Sequence, residues 1–257
     1  MTTSLDAEAS GQPAEIQAVT RAAQILELLG PQTESITAAE AATRIGLNRT
    51  TTYRYCTSLV SAGLLERRPD GSFTYGRLAL QLGAYALSRR DVLDLAPPHM
   101  RLLAARTHST AVLSLWGSSG PVVFRVEEDL ASVVSVRVKV GTQLDLGSAQ
   151  AGVFLAFHSD QLRMERLTAG LPEPTRTTLR ARLETIRADG YHTQDNGRGA
   201  VILAAPVYDE HGLCATVALL NTTEALSTAP ESLQLRQLLN CAAQLTDDMG
   251  GSAWPGQ

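Results

Sequence analysis

Residues 37 to 75 constrain the fold more tightly than any other stretch. Thr37-Ala38-Ala39-Glu40 is a capping box, in which the threonine hydroxyl and the glutamate carboxylate each take a backbone amide that a first helical turn leaves free. The short helix that it opens runs to about Ile45. Gly46 supplies the left-handed residue of a tight helix-helix turn, and Asn48 is a good N-cap for the helix that follows. At helical spacing that next helix turns Thr52, Tyr55, Cys56 and Leu59 one way and Thr50, Tyr53, Arg54 and Thr57 the other, with Arg49 at the flank. Leu64 to Arg67 and Ser72 to Tyr75 then flank Pro69-Asp70-Gly71, a turn whose glycine tolerates positive φ. Helix, turn, arginine-bearing helix and hairpin in that order predict a winged helix-turn-helix. Its partner would be DNA: threonine reaches phosphates or base edges, and arginine makes paired hydrogen bonds to guanine. Arg67 and Arg68 stand where a wing meets the backbone or minor groove.

Charge agrees once its distribution is considered. The formal net charge is −4, yet no acidic residue lies between Glu40 and Glu66. Residues 44 to 68 carry Arg44, Arg49, Arg54, Arg67 and Arg68 against Glu66 alone. Such a patch draws a phosphate backbone while the acidic remainder limits indiscriminate binding. A solvated arginine face would give the same local charge, so charge by itself does not choose between them.

The remainder excludes more than it assigns. An apolar content of 44% can fill a core in each of two domains. The longest apolar runs, such as Ala200 to Val207, are far too short for a membrane span. No basic segment leads into an apolar one at the N-terminus, so a cytoplasmic location is expected. Cys56, Cys214 and Cys241 are scattered, which argues against a disulfide framework or a thiolate metal site. Asn48-Arg49-Thr50 and Asn221-Thr222-Thr223 match the glycosylation sequon by chance. The histidines show no metal-ligand spacing, and His192 and Asp195 read as surface polar residues at a strand entrance. Gly197-Arg198-Gly199 lacks the third glycine of a dinucleotide loop, and no serine sits in a G-x-S-x-G elbow. Neither catalytic residues, metal nor cofactor is expected. Trp116, Phe124 and Phe157 read as core residues.

Along the chain, residues 1–14 are small and polar and read as a disordered tail. A helix runs from Ile16 to Leu29 and stops at Gly30-Pro31. Arg77 to Leu93 has helical periodicity and joins two domains, while Pro97-Pro98 marks the first turn of another helix. Strands are expected over Val112 to Trp116, Val122 to Glu127 and Val133 to Val140, and helices over 149–158, 160–168 and 176–189. Val201 to Tyr208 and Leu213 to Leu220 form a hairpin, and a last helix spans Ala229 to Met249. The expected class is α+β in two domains: a winged helix-turn-helix over 15–76, a linker helix over 77–93, a mostly antiparallel sheet with flanking helices over 94–250, and a tail at 251–257.

From about residue 16 to 249 the chain resembles the IclR family of bacterial transcription regulators. The resemblance is carried by Ala22 to Leu29 (AAQILELL), Ala38 to Leu47 (AAEAATRIGL), Arg49 to Leu59 (RTTTYRYCTSL), Gly63 to Arg68 (GLLERR), Asp70-Gly71 and Tyr75 to Gly83 (YGRLALQLG). Val140 to Phe157 (VGTQLDLGSAQAGVFLAF), Asp189-Gly190-Tyr191, and Ala204 to Val207 followed by Asp209 and Gly212 carry it in the second half. It implies a DNA reader, a linker helix that dimerises and a GAF-like ligand-sensing domain. It also implies a homodimer or homotetramer (dimer of dimers) on a pseudo-palindromic operator, most often as a repressor.

On that basis Arg49, Thr50, Thr51, Tyr53 and Arg54 fall on the recognition helix, and Arg67 and Arg68 on the wing. The effector-binding amides of the family map to Gln150 and Ala151, where free donors at a helix N-terminus suit a carboxylate. An acidic position maps to Gln194 or Asp195. A frequent cysteine is replaced by Ile202, two serines become Leu219 and Asn221, and a lysine becomes Val153. These replacements remove polar partners and favour a larger, more apolar small-molecule effector, an aromatic acid or an amino acid. A regulator without an effector, and an adaptor that offers its winged helix to a protein, are the alternatives.

Overall fold

The computed structural model describes residues 16–88, 91–129 and 136–252. The expected tail at 1–14, the last five residues of the tail at 251–257, and residues 133–135 of the third expected strand lie outside the described residues. The chain divides into two compact units, one ending at Tyr85 and the other starting at Ala86.

Local signals account for the first unit. It contains α1 (Gln17–Glu27), α2 (Ala38–Ile45), α3 (Arg49–Ser61) and a hairpin of β1 (Leu65–Arg67) and β2 (Phe73–Tyr75). The capping box closes as its residue types require, with the Thr37 amide donating to Glu40 Oε2 at 2.9 Å and the Glu40 amide to Thr37 Oγ1 at 3.3 Å. Gly46 ends α2 at φ +69°, a left-handed conformation that would strain any residue with a Cβ. Asn48 Oδ1 then accepts the Thr51 amide at 2.8 Å and starts α3. Thr52, Cys56 and Leu59 turn inward to a core with Ile25, Ile36, Leu65 and Phe73. The Tyr75 hydroxyl, on β2, lies 2.9 Å from the Leu26 carbonyl and 3.1 Å from that of Leu29, so the wing satisfies the C-terminal end of α1.

Next comes α4 (Arg77–Leu87), which has no buried residue. The helix expected over 77–93 is therefore two: residues 89 and 90 lie outside the described residues, and Leu93 belongs to α5 (Asp91–Thr107). Pro97 and Pro98 sit inside α5 rather than in its first turn. Two prolines forfeit two helical hydrogen bonds. The helix persists there because Val92, Ala96, Met100, Leu103 and Ala104 are buried against the sheet, and packing outweighs propensity.

The second unit continues with β3 (Thr110–Trp116), β4 (Pro121–Glu127), α6 (Ala149–Phe157), α7 (Gln161–Thr168), α8 (Glu173–Asp189), β5 (His192–Asp195), β6 (Ala200–Asp209), β7 (Gly212–Thr222) and α9 (Leu233–Asp248). One antiparallel sheet runs β4-β3-β7-β6-β5. Side chains alternate between its faces. Leu113, Leu203, Val217 and Leu219 pack under α5 and α9, whereas Ala204 and Ala218 pack under α6 and α8. The described part of the third expected strand, 136–140, is not a strand. A strand needs an edge to pair with, and the outer edge of β4 is taken by the following residues, through Val123 N to Thr142 O at 2.9 Å and Leu144 N to Pro121 O at 2.7 Å. β5 was not foreseen, because His-Thr-Gln-Asp has no apolar alternation.

Candidate DNA interface and effector site

The expected DNA-reading residues share one surface of the first unit. Arg49, Thr50, Tyr53 and Arg54 are exposed on α3, Thr51 is half-buried, and Arg67 and Arg68 are exposed at the hairpin. None of the four arginines makes an ion pair among the described residues. Tyr53 does more than face outward. Its ring meets Phe73 of β2 edge-on at 6.4 Å, which ties the exposed side of α3 to the wing. The wing tip is closed by Asp70, whose Oδ1 accepts the Ser72 amide at 3.0 Å and hydroxyl at 2.6 Å. Those two bonds, the hydroxyl's being the stronger influence, hold the Asp70 carboxyl below its ordinary range.

The expected effector residues are not brought together. Gln150 and Ala151 are buried in the first turn of α6, and Ile202 lies on the same side of the sheet. Leu219 and Asn221 point the other way, since they pair directly with Leu203 and Val201, neighbours of Ile202 in β6. Leu219 is core under α5 and α9, and Asn221 Nδ2 donates to the His108 carbonyl at 2.8 Å. Asp195 is exposed, opposite Val201, and its Oδ1 accepts the Gly197 amide at 2.8 Å in a turn. Gln194, the alternative position, faces Ile202, and its Nε2 donates to the Gly147 carbonyl at 3.0 Å just ahead of α6.

What the α6 side does assemble is a set of polar groups in an apolar core. Ser148 caps α6 by accepting the Ala151 amide at 3.2 Å, so the amides left at the positive end of the helix are those of Ala149 and Gln150. Gln150 is 3% exposed; its Oε1 accepts the Ser114 hydroxyl at 3.2 Å, and its Nε2 has no partner among the described residues. Thr216 lies directly across from Ser114, with its hydroxyl unpaired. Trp116, one pleat along, packs edge-on against Phe154 at 5.3 Å, and its indole N–H is also unpaired. Leaving a buried polar group unpaired costs roughly 1–3 kcal/mol, so these groups would gain from a polar partner. Sequence reasoning missed Ser114 and Thr216 and assigned Trp116 to the core. The available signal was Ser114-x-Trp116, a polar residue and an indole on one face of a strand.

His192 is a further correction: it is buried, not on the surface, with Nδ1 3.0 Å from the Ala149 carbonyl. Burial holds it below the ordinary histidine range, and the bond to Ala149 opposes that shift while the charge of Arg182 adds to it. The ring comes so close to Gly152 that a Cβ there would lie 2.6 Å from Nδ1. Among the described residues no group of His, Cys, Asp and Glu suits a metal ion, and no helix is long and apolar enough to cross a membrane.

Comparison with known proteins bears on both units. The model of the IclR helix-turn-helix domain matches residues 18–69, and that of the bacterial transcriptional regulator IclR C-terminal domain matches residues 84–247. The chain belongs to the IclR family. It is similar to the DNA-binding transcriptional repressor YiaJ of Escherichia coli, at 25% identity over 95% of this chain and 92% of that one. It is also similar to the HTH-type transcriptional regulator TtgV of Pseudomonas putida, at 30% identity over 82% of this chain and 79% of that one. A crystal structure of an IclR regulator from Silicibacter shares the fold, with a TM-score of 0.81 at 19% identity, covering 93% of this chain and 98% of that one. An IclR homologue from Microbacterium hydrocarbonoxydans, complexed with 4-hydroxybenzoate, has a TM-score of 0.68 at 22% identity, covering 90% of this chain and 98% of its own. This IclR-family protein is a transcriptional regulator whose helix-turn-helix binds DNA, and it is not an enzyme.

Proposed function

We propose that this regulator represses transcription from the cytoplasm, by placing α3 of two protomers in successive major grooves of a pseudo-palindromic operator and releasing it in response to a small carboxylate effector. The observation that carries the reading is the exposed Arg49, Thr50 and Arg54 face of α3 beside Arg67 and Arg68, with no ion pair among the described residues to occupy those arginines. Thr51 and Tyr53 complete that face. Two recognition helices on one duplex require a dimer. The apolar, exposed α4 supports one, with Leu80 75% and Leu82 55% accessible. A dimer of dimers uses the same two-fold unit.

Support for an effector comes from the buried polar cluster beside α6. Gln150, Ala151 and Ile202 lie on its side of the sheet, and Ser114, Trp116 and Thr216 join them. The 4-hydroxybenzoate bound by the Microbacterium homologue supports an aromatic acid. An effector shifts the regulator only if it prefers one dimer geometry to the other.

Genomic fragments captured by the purified protein, then titrated by fluorescence anisotropy, test the DNA half. Arg54→Ala should cost about 1–3 kcal/mol or relax base preference, whereas Arg68→Ala should weaken all sequences alike. Affinity should fall with salt at a log-log slope of roughly −4 to −8. Both variants binding like wild type would show that helix and wing are wrongly assigned, and a flat salt dependence would favour a protein partner.

A further inference from the structure

A cavity of about 440 Å3 opens between the loop ahead of α6 and the first half of α8. Leu171 and Leu179 give it apolar walls, Leu146 and Gly147 bring it to the start of α6, and Thr178 and Arg182 are among its polar lining. Arg182 is an arginine of α8 that lines this cavity. Arg187 donates from Nε to the Ala156 carbonyl at 2.9 Å, and Arg176 pairs with Glu173. Among the described residues Arg182 makes no ion pair, and its Nε, like that of Arg176, is buried without a hydrogen-bond partner. Burial works against its charge. A half-buried guanidinium with nothing to neutralise it is costly, and an anion at its fork relieves that cost.

We propose that Arg182 anchors the carboxylate of a small organic acid whose apolar body lies in this cavity against Leu171 and Leu179. The proposal rests on the reading of the second unit as a sensor, and it assigns the anionic group of the effector to α8 rather than to the α6 amides. One guanidinium with apolar walls matches a monoanion with a hydrocarbon ring. A phosphate would need more donors than one arginine and its neighbouring threonines provide. The size falls within the range of small-molecule pockets.

Calorimetric titration of the full-length protein with 4-hydroxybenzoate, cyclohexanecarboxylate, the neutral 4-hydroxybenzamide and inorganic phosphate tests it. The two carboxylates should bind, with the amide and phosphate much weaker. Arg182→Gln should weaken carboxylate binding roughly tenfold or more, Arg182→Lys should recover part of the loss, and the urea midpoint of the ligand-free Gln variant should be no lower than that of wild type. Carboxylates that bind Arg182→Gln as tightly as wild type, but fail on Gln150→Leu, would overturn the anchor and leave the sensor reading standing at the polar cluster beside α6. Phosphate that binds as tightly as the carboxylates would overturn the ligand class. Absence of carboxylate binding to wild type would overturn anchor and sensor together.

Discussion

His192 shows how much a single residue depends on what is packed over it. Its neighbours in sequence are polar, and nothing local marks it as buried, yet α6 covers it and its Nδ1 meets the Ala149 carbonyl. The folded-state pKa is lowered from 6.5 by burial, so as pH falls below about 6.5 the unfolded chain takes up a proton before the folded one. The stability linked to His192 is thus complete above its unfolded pKa and is lost as pH drops toward the folded value. The urea midpoint should fall between about pH 7.5 and 5.5, and His192→Gln should lack that component. An identical pH slope in both proteins would mean that His192 is not held neutral by its surroundings. Asp195 tells the converse story. Its position two residues before Gly197 suits a turn, and its Oδ1 takes the Gly197 amide.

Among the elements, the α2-turn-α3 segment was legible because each of its signals acts within four residues: Thr37 with Glu40, Gly46 by its own φ, Asn48 with Thr51. The attachment of the wing was not. Tyr75 reaches back across the chain to the last carbonyls of α1, and Tyr53 reaches Phe73 from the recognition helix. Tyr75→Phe should therefore destabilise the first unit by roughly 0.5–1.5 kcal/mol while leaving its ring in place. Urea unfolding followed by circular dichroism measures this, and a midpoint equal to that of wild type would show that water serves the α1 carbonyls as well as the tyrosine does. The prolines of α5 failed as a boundary signal for a related reason. Pro97 and Pro98 speak only for local hydrogen bonding, and the burial of Ala96, Met100 and Leu103 overrides them.

For the whole molecule, the proposed dimer rests on the exposed leucines of α4. These leucines gain nothing from water, and a second copy of the helix would cover them. Leu80→Glu should shift the protein toward monomer in sedimentation velocity and weaken operator binding by roughly 100-fold, the loss expected when two linked contacts become one. A variant that stays dimeric would place the interface elsewhere. By itself the amino-acid sequence determined the caps, the glycine turns, the amphipathic faces and the exposed arginine-rich face of α3, because those depend on groups a few residues apart. Only the tertiary structure decided which residues share the α6 face of the sheet. Strand pairing alternates side chains between two faces, and one step of register separates Ile202 from Leu219 and Asn221 while bringing Ser114 opposite Thr216. Such parity is a property of strands that meet across the fold, and no local pattern in either strand carries it.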